Sequence, residues 1–469
     1  MSRFSLIYIG CFLLILSIFS FFNIIYSYYF NIFLNVDIYT YVFFITLFLG
    51  LFACFYKKIK LKKIPIYEKI LTVLFGYLFF PLIISLPFYF SINNISFLNC
   101  YFESISGFTS TGFTVFDNIK QIDTSLILWR SSSQWIGGLY FLFSLLLLID
   151  IFDENLKKSV TNYLTFNSSE ISKQSFKIII LYSFLTFLIF LLLKFINLRS
   201  FDAYNFALTI ISSGGFLSIN NFDNLFDTNI SKIILSLTIL FSYFSLFFTY
   251  NLLFFKNKNI TYLSEDFNLL IYLVIIISVV FVFFNYDNNF LNVLVSIISS
   301  VSNLGLSFKD TPQNLSFIFL LLVIIGGSFF STSSGLRVVK VLSLIKFSLN
   351  NLLSHTKPNQ IYLNKISLIN SNTNKEDINK YFLSIVIFVI SLFVVTLFLT
   401  ISEIELEKAF KIGILTIMNT VNSPMYGVSE FDFYNLSIFT KIILIIFMII
   451  GRIEMLTIFI LFKKFLFKY

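Results

Sequence analysis

The chain has 469 residues, of which 57% are hydrophobic, 20% aromatic and only 12% charged, against about 25% charged in ordinary soluble domains. A mean hydropathy of +0.88 and long runs nearly free of charge exclude a soluble globular domain and point to a polytopic membrane protein. The formal net charge of +9 does not indicate a nucleic-acid partner, because the basic residues fall in stretches between or after apolar runs: 57–63, 154–159, 255–259, 337–380 and 462–469. These alternate with stretches richer in Asp and Glu, which places the basic stretches against the lipid head groups of the bilayer and both termini in the cytoplasm.

The first apolar run, 4–30, is longer than the apolar region of a signal peptide and no small-residue cleavage site follows it, so it reads as a retained helix. A second helix is expected over 36–56. After these two, one unit recurs four times: a long apolar run, a short segment ending in a polar glycine loop, an acidic stretch and a second long apolar run. In the first unit the run is 67–92, "FLNCYFESIS" leads into "GFTSTGFTVFD", and the exit helix is 126–151. In the second, 176–196 precedes "FDAYNFALTI" and "ISSGGFLSINNFD", with the exit over 231–255. In the third, 268–285 precedes "NFLNVLVSIISSVSNLGLSFKD" and the exit begins near Leu315. In the fourth, 381–401 precedes "ELEKAFKIGILTIMNTVNSPMYGVSEFD" and the exit is 437–467. The expected divisions are 1–63 for the two leading helices and 64–160, 161–262, 263–375 and 376–469 for the four units.

Short segments of roughly ten to fourteen residues cannot span a bilayer and suit re-entrant half-helices. Gly112, Gly215 and Gly305 stand at matching points, and acids follow each loop: Asp117, Asp223, Asp310, and Glu430 with Asp432. Glycine permits a positive φ that turns carbonyl oxygens toward one axis. A ring of such carbonyls can replace the hydration shell of a cation. Negative helix ends at the centre and acids at the mouth would add to the attraction. The pattern therefore predicts an all-α membrane protein with four pseudo-fourfold helix–pore-loop–helix repeats around a central pore, preceded by two extra helices. Cys11, Cys54 and Cys100 have neither metal-ligand nor redox spacing and are expected to be free thiols, and the single histidine, His355, is expected in a solvated loop.

"FESISGFTSTGFTV", "LILWRSSSQWIGGLYF", "ISSGGFLS", "GGSFFSTSSGLRVVKVL" and "IIGRIEMLTIFILF" occur in this order. With "LIISLPF" before the first loop, they resemble the TrkH-type potassium uptake proteins of the Trk/Ktr/HKT superfamily along essentially the whole chain. The resemblance implies potassium uptake across the inner (plasma) membrane, homodimers, a cytoplasmic TrkA-like NAD- or nucleotide-binding regulatory ring, and no organic cofactor or enzymatic activity in this chain. It implies a selectivity filter holding potassium at Thr109, Ser110, Thr111 and Gly112; Ser212, Ser213, Gly214 and Gly215; Ser302, Asn303, Leu304 and Gly305; and Asn422, Ser423, Pro424 and Met425. It also implies a gating loop over 326–335, with Gly326, Gly327, Ser331, Thr332, Ser333, Ser334 and Gly335, beside a pore-facing Arg452. Arg130 and Gln134 read as structural links between repeats, and Arg452 with Glu454 reads equally as an ion pair.

Met425 stands where the family has glycine in the fourth loop, which leaves two registers open: Gly427 takes the role through a shift, or one ring position is imperfect. The third loop has "SNLG" in place of a hydroxyl-rich run, and the gating loop is glycine-poor. These three departures, Met425 first, keep a sodium-permeable or weakly selective path open as an alternative. A secondary transporter of organic solutes would have two inverted halves with broken helices. The four-unit count opposes it, as does the expectation of no acid within the membrane outside Glu454.

Overall fold

The computed structural model describes residues 3–55, 65–116, 118–148, 171–219, 222–249, 264–283, 290–356, 375–428, 431–453 and 457. Among them every regular element is helical, and five helices are long and apolar enough to cross a membrane. The leading pair is α1 (Arg3–Tyr29) and α2 (Val36–Phe55). Small residues let the two approach closely: a β-carbon on Gly10 would lie 2.8 Å from Ala53 Cβ, and one on Gly50 3.0 Å from Leu14. The contact also makes Cys11 a neighbour of Cys54, although 43 positions separate them (54 − 11). All three cysteines are free.

The four units follow. The first is α3 (Ile66–Ser91), α4 (Phe97–Phe108) and α5 (Thr124–Leu147). The second is α6 (Ile171–Phe195), α7 (Ser200–Ile211) and α8 (Asn229–Tyr243). The third is α9 (Ser264–Phe283), α10 (Phe290–Val301) and α11 (Ser316–Ile325), continued after a break by α12 (Val338–Thr356). The fourth is α13 (Lys375–Ile401), α14 (Leu406–Ile417) and α15 (Ile438–Ile453). Helix bounds fall within a few residues of the expected ones wherever a described helix ends on described residues, apart from the second exit helix: expected over 231–255, it stops at Tyr243, where Phe244 N bonds Leu240 O in extended backbone. His355 also differs: it is exposed, but in the last turn of α12 rather than in a loop. The basic stretches 57–63, 154–159, 255–259 and 462–469 lie outside the described residues, as do Asp117, Glu430 and Glu454.

The second helix of each unit has 12 residues, roughly 18 Å at 1.5 Å per residue, about half of a bilayer core. Ser96 caps α4 by accepting from Asn99 N at 3.3 Å, and Asp123 caps α5 by accepting from Ser125 N at 3.3 Å. The exit helices press on the ends of the half-helices at glycines. A β-carbon on Gly137 would collide with Phe108 O, and one on Gly451 with Ile417 O. These contacts set the depth at which the half-helices of the first and fourth units stop.

Candidate functional site

Each half-helix ends in the same backbone figure. A residue just past the helix takes a left-handed φ: Ser110 (+56° in the first unit), Ser213 (+55°), Asn303 (+60°) and Asn419 (+48°). The following amide turns back onto the helix, from Thr111 N to Ser106 O, Gly214 N to Thr209 O, Leu304 N to Ser299 O and Thr420 N to Leu415 O, at 2.9–3.0 Å. In the first three loops a second left-handed residue comes next, Gly112 (+77°), Gly215 (+69°) and Gly305 (+79°), a conformation glycine adopts at no steric cost. In the fourth loop that place is held by Val421, which is outside the left-handed region.

The register expected for the fourth loop is therefore wrong. The segment equivalent to Thr109–Gly112 is Met418–Val421, four residues before Asn422–Met425. The capture of Thr420 N by Leu415 O fixes the figure directly at the end of α14, and the proline and glycine that suggested a later loop belong to a separate turn. Asn422 donates to Val428 O at 3.5 Å and Ser423 pairs with Ser307. Pro424–Tyr426 form one turn of 3₁₀-helix, in which buried Met425 receives Ser300 Oγ at 3.6 Å. Gly427 (φ +72°) is exposed after that turn and does not take the glycine's place either.

The four segments meet. A β-carbon on Gly112 would collide with Val421 Cγ2 and with Gly214 O, and one on Gly215 with the same methyl and with Leu304 O. One on Gly305 would lie 2.8 Å from Val421 O and 2.9 Å from Val421 Cβ. Side chains behind the loops hold them in place. Gln134 of α5 donates to Gly214 O at 2.7 Å and accepts from Phe216 N at 3.2 Å. Asn303 donates to Val323 O at 2.9 Å and to Thr420 Oγ1 at 3.1 Å. Asn419 donates to Met448 O at 2.8 Å and to Thr111 Oγ1 at 3.0 Å. The hydroxyls of Thr109 and Thr111 pair at 2.7 Å, and Ser212 and Ser302 bond back to their own half-helices.

Residues 326–335 interrupt the exit helix of the third unit. The excursion leaves at Gly326 (φ +69°) and returns at Gly335 (φ +98°). These two pack backbone to backbone: a β-carbon on Gly326 would lie 2.8 Å from Gly335 Cα, and one on Gly335 2.6 Å from Gly326 Cα. Leu336 N and Arg337 N then bond Ile324 O and Ile325 O at 2.8 and 2.9 Å, closing the neck. A β-carbon on Gly327 would lie 2.7 Å from Tyr243 O, and Ser328 N bonds that same carbonyl at 3.0 Å. Within the loop, Ser331 and Ser333 share a hydroxyl contact at 2.6 Å, and Arg337 Nη1 donates to Ser328 O at 2.6 Å.

The loop touches the second segment through Thr332, whose hydroxyl donates to Ile211 O at 2.7 Å and lies 3.3 Å from Ser213 Oγ. It touches the first through Arg452, which is 1% exposed. That guanidinium donates to Ser334 Oγ at 2.8 Å and Ser110 Oγ at 3.3 Å, and its carbon stands 4.1 Å from the centre of the Phe141 ring. The arginine thus bridges a loop segment at the convergence point and the interruption beneath it.

No protein-family model matches the chain. An uncharacterized cation transporter of Methanocaldococcus jannaschii is 25% identical over 450 residues, covering 90% of this chain and 88% of the relative. The Trk system potassium uptake protein TrkH of Salmonella typhimurium is 24% identical over 396 residues, 81% of each chain. The crystal structure of the potassium transporter TrkH from Vibrio parahaemolyticus superposes with a TM-score of 0.82 over 98% of both chains, at 20% identity. The chain is thus similar in sequence to TrkH-type potassium uptake proteins and shares the fold of the solved TrkH.

The sequence pattern missed three features of this site. The first is the acid of a buried ion pair: Arg130 was expected to link repeats, as was Gln134, but the partner Glu103 was not named. Glu103, with no exposed surface, accepts from Arg130 Nε at 2.6 Å, Val115 N at 2.8 Å and Thr114 Oγ1 at 3.2 Å. Arg130 also reaches Leu217 O at 3.4 Å and lies 3.8 Å from the centre of the Phe216 ring. The pair ties the first loop to the second. It also corrects the expectation of no interior acid outside Glu454, as does buried Asp266, which accepts from Ser245 N at 3.0 Å and from its hydroxyl at 2.6 Å. The second is Val421, hidden because the "MYG" of 425–427 drew the register downstream. The third is Asn419, the counterpart of the expected Asn303, whose signal was available: asparagine tolerates the left-handed region better than most residues.

Proposed function

We propose that this chain takes up potassium across the plasma membrane, along a path lined by Thr109–Gly112, Ser212–Gly215, Ser302–Gly305 and Met418–Val421. The observation that carries the reading is the convergence of four half-helix ends, each followed by the same left-handed turn, on one point within a helical membrane protein. Irregular backbone at membrane depth is tolerated only where protein buries it or a water-filled path borders it. Helix C-termini carry about half a negative charge each, so four of them around one point favour a dehydrated cation. The potassium carried by the relatives suggests the ion, and hydroxyls at 109–111, 212 and 213 suit it.

In this reading residues 326–335 and Arg452 form the gate. The arginine places a positive charge beneath the convergence point. Two like unit charges 4 Å apart repel by about 4 kcal/mol at an effective dielectric of 20. The hydroxyl of Ser334 holds it there. A homodimer with cytoplasmic termini and a TrkA-like nucleotide-binding ring acting on the helix after Gly335 completes the proposal.

A second reading, a weakly selective monovalent cation path, is favoured by Val421, which breaks the fourfold equivalence of the loops. Uptake of potassium, rubidium and sodium by a host lacking its own potassium uptake systems tests both. Growth at low potassium with rubidium uptake well above sodium supports the first. Equal rubidium and sodium uptake supports the second, and no uptake of any of the three contradicts both.

A further inference from the structure

We propose that Val421 is a side-chain barrier on the ion path: its isopropyl group occupies the place where the four loops meet, and a cation passes only when that group swings aside. The inference rests on the transport reading above. Its own support is geometric. One methyl, Cγ2, is the nearest atom to where a β-carbon of Gly112 would stand, and, level with Leu304 O, it is also the nearest to that of Gly215 in the next loop. Val421 Cβ lies 2.9 Å from where a β-carbon of Gly305 would stand. One side chain therefore touches the glycines of all three other loops. The space those three glycines leave by lacking β-carbons is filled by the isopropyl group of the fourth.

The side chain is also partly exposed, although its three glycine neighbours are buried, so it borders a gap rather than being sealed in the protein core. A space too small for one added β-carbon cannot hold both an isopropyl group and a cation. Passage requires a new χ1 for Val421, and β-branching restricts the choice of χ1 rotamers. An apolar group at this point offers the ion no oxygen in exchange for lost water. The barrier sits above the Arg452 contact and does not depend on it.

The test is rubidium and sodium flux into proteoliposomes holding the full chain, for the parental protein, Val421→Gly and Val421→Ala. Expected is at least a tenfold rise in rubidium flux for Val421→Gly, a smaller rise for Val421→Ala, and a higher rubidium-to-sodium ratio in the glycine variant. Parental flux and ratio in both folded variants would overturn the barrier while leaving the transport reading intact. Absence of flux in all three proteins, each shown folded by its thermal transition, would overturn both. Should Val421→Gly fail to fold, Val421→Cys serves. Its reaction with a membrane-impermeant thiol reagent applied from outside should be slowed by rubidium, and a rate indifferent to rubidium would overturn the proposal.

Discussion

The first three loops and the fourth make the same turn with different residues. All four place a left-handed residue after the half-helix and return the next amide to a carbonyl five residues back. Only the first three follow this with a left-handed glycine. The turn is therefore set by the end of the helix and the returned amide, since the fourth loop makes it with Val421. What the glycines provide is room: each faces a neighbouring loop at a distance no β-carbon tolerates. A second contrast concerns what joins neighbours. Loops one and two are tied by the buried charges Glu103 and Arg130, whereas loops three and four are tied by neutral groups, Asn303 to Thr420 and Ser307 to Ser423.

That contrast predicts unequal costs. Arg130→Ala leaves Glu103 buried and uncompensated, and should lower unfolding stability in detergent by about 3–5 kcal/mol. A loss under 1 kcal/mol would mean that the charges do not join the two loops. Asn303→Ala removes two neutral hydrogen bonds and puts alanine at φ +60°. Its expected cost, about 2 kcal/mol, combines a lost net hydrogen bond with left-handed strain. A cost equal to that of Arg130→Ala would erase the difference between the two junctions.

Ser334→Ala removes a hydrogen bond to a charged group, worth about 1.5–3 kcal/mol. If the Arg452 contact holds the path shut, rubidium flux should rise by about tenfold, the change that 1.4 kcal/mol brings. Unchanged flux would place the gate elsewhere. Gly427→Ala is the smallest perturbation. Its left-handed φ costs about 1 kcal/mol with alanine, and among the described residues the one close neighbour of an added β-carbon is the end of the flexible Lys411 side chain at 3.1 Å. Transport should be unaffected. A loss as large as that from altering Gly215 would restore the register that runs through Met425.

Much of this was legible in the sequence because its signals are local. Apolar runs gave the spanning helices, and the repeated order of run, short segment and glycine loop located all four half-helices and three of the four segments. The fourth segment was misplaced because its marker, a glycine, is absent from position 421, while proline and glycine nearby imitate one. Arg130 was legible as a link between repeats, but its partner Glu103 was not, since the two lie 27 positions apart (130 − 103) on different helices and only packing brings them together. The closed neck of the 326–335 loop was half legible: two glycines and a run of hydroxyls marked an interruption, but not that Gly326 and Gly335 abut.

The most direct test of the central claim, that the converging loops are the cation path, is the rubidium-to-sodium uptake ratio of Gly112→Ser beside that of the parental protein. A β-carbon at this left-handed position collides with Val421 and with the Gly214 carbonyl, so it must displace the carbonyls that the proposed path sets against the ion. The account predicts a fall in that ratio of about tenfold or more, in a protein that retains its thermal transition. An unchanged ratio and unchanged uptake would contradict it.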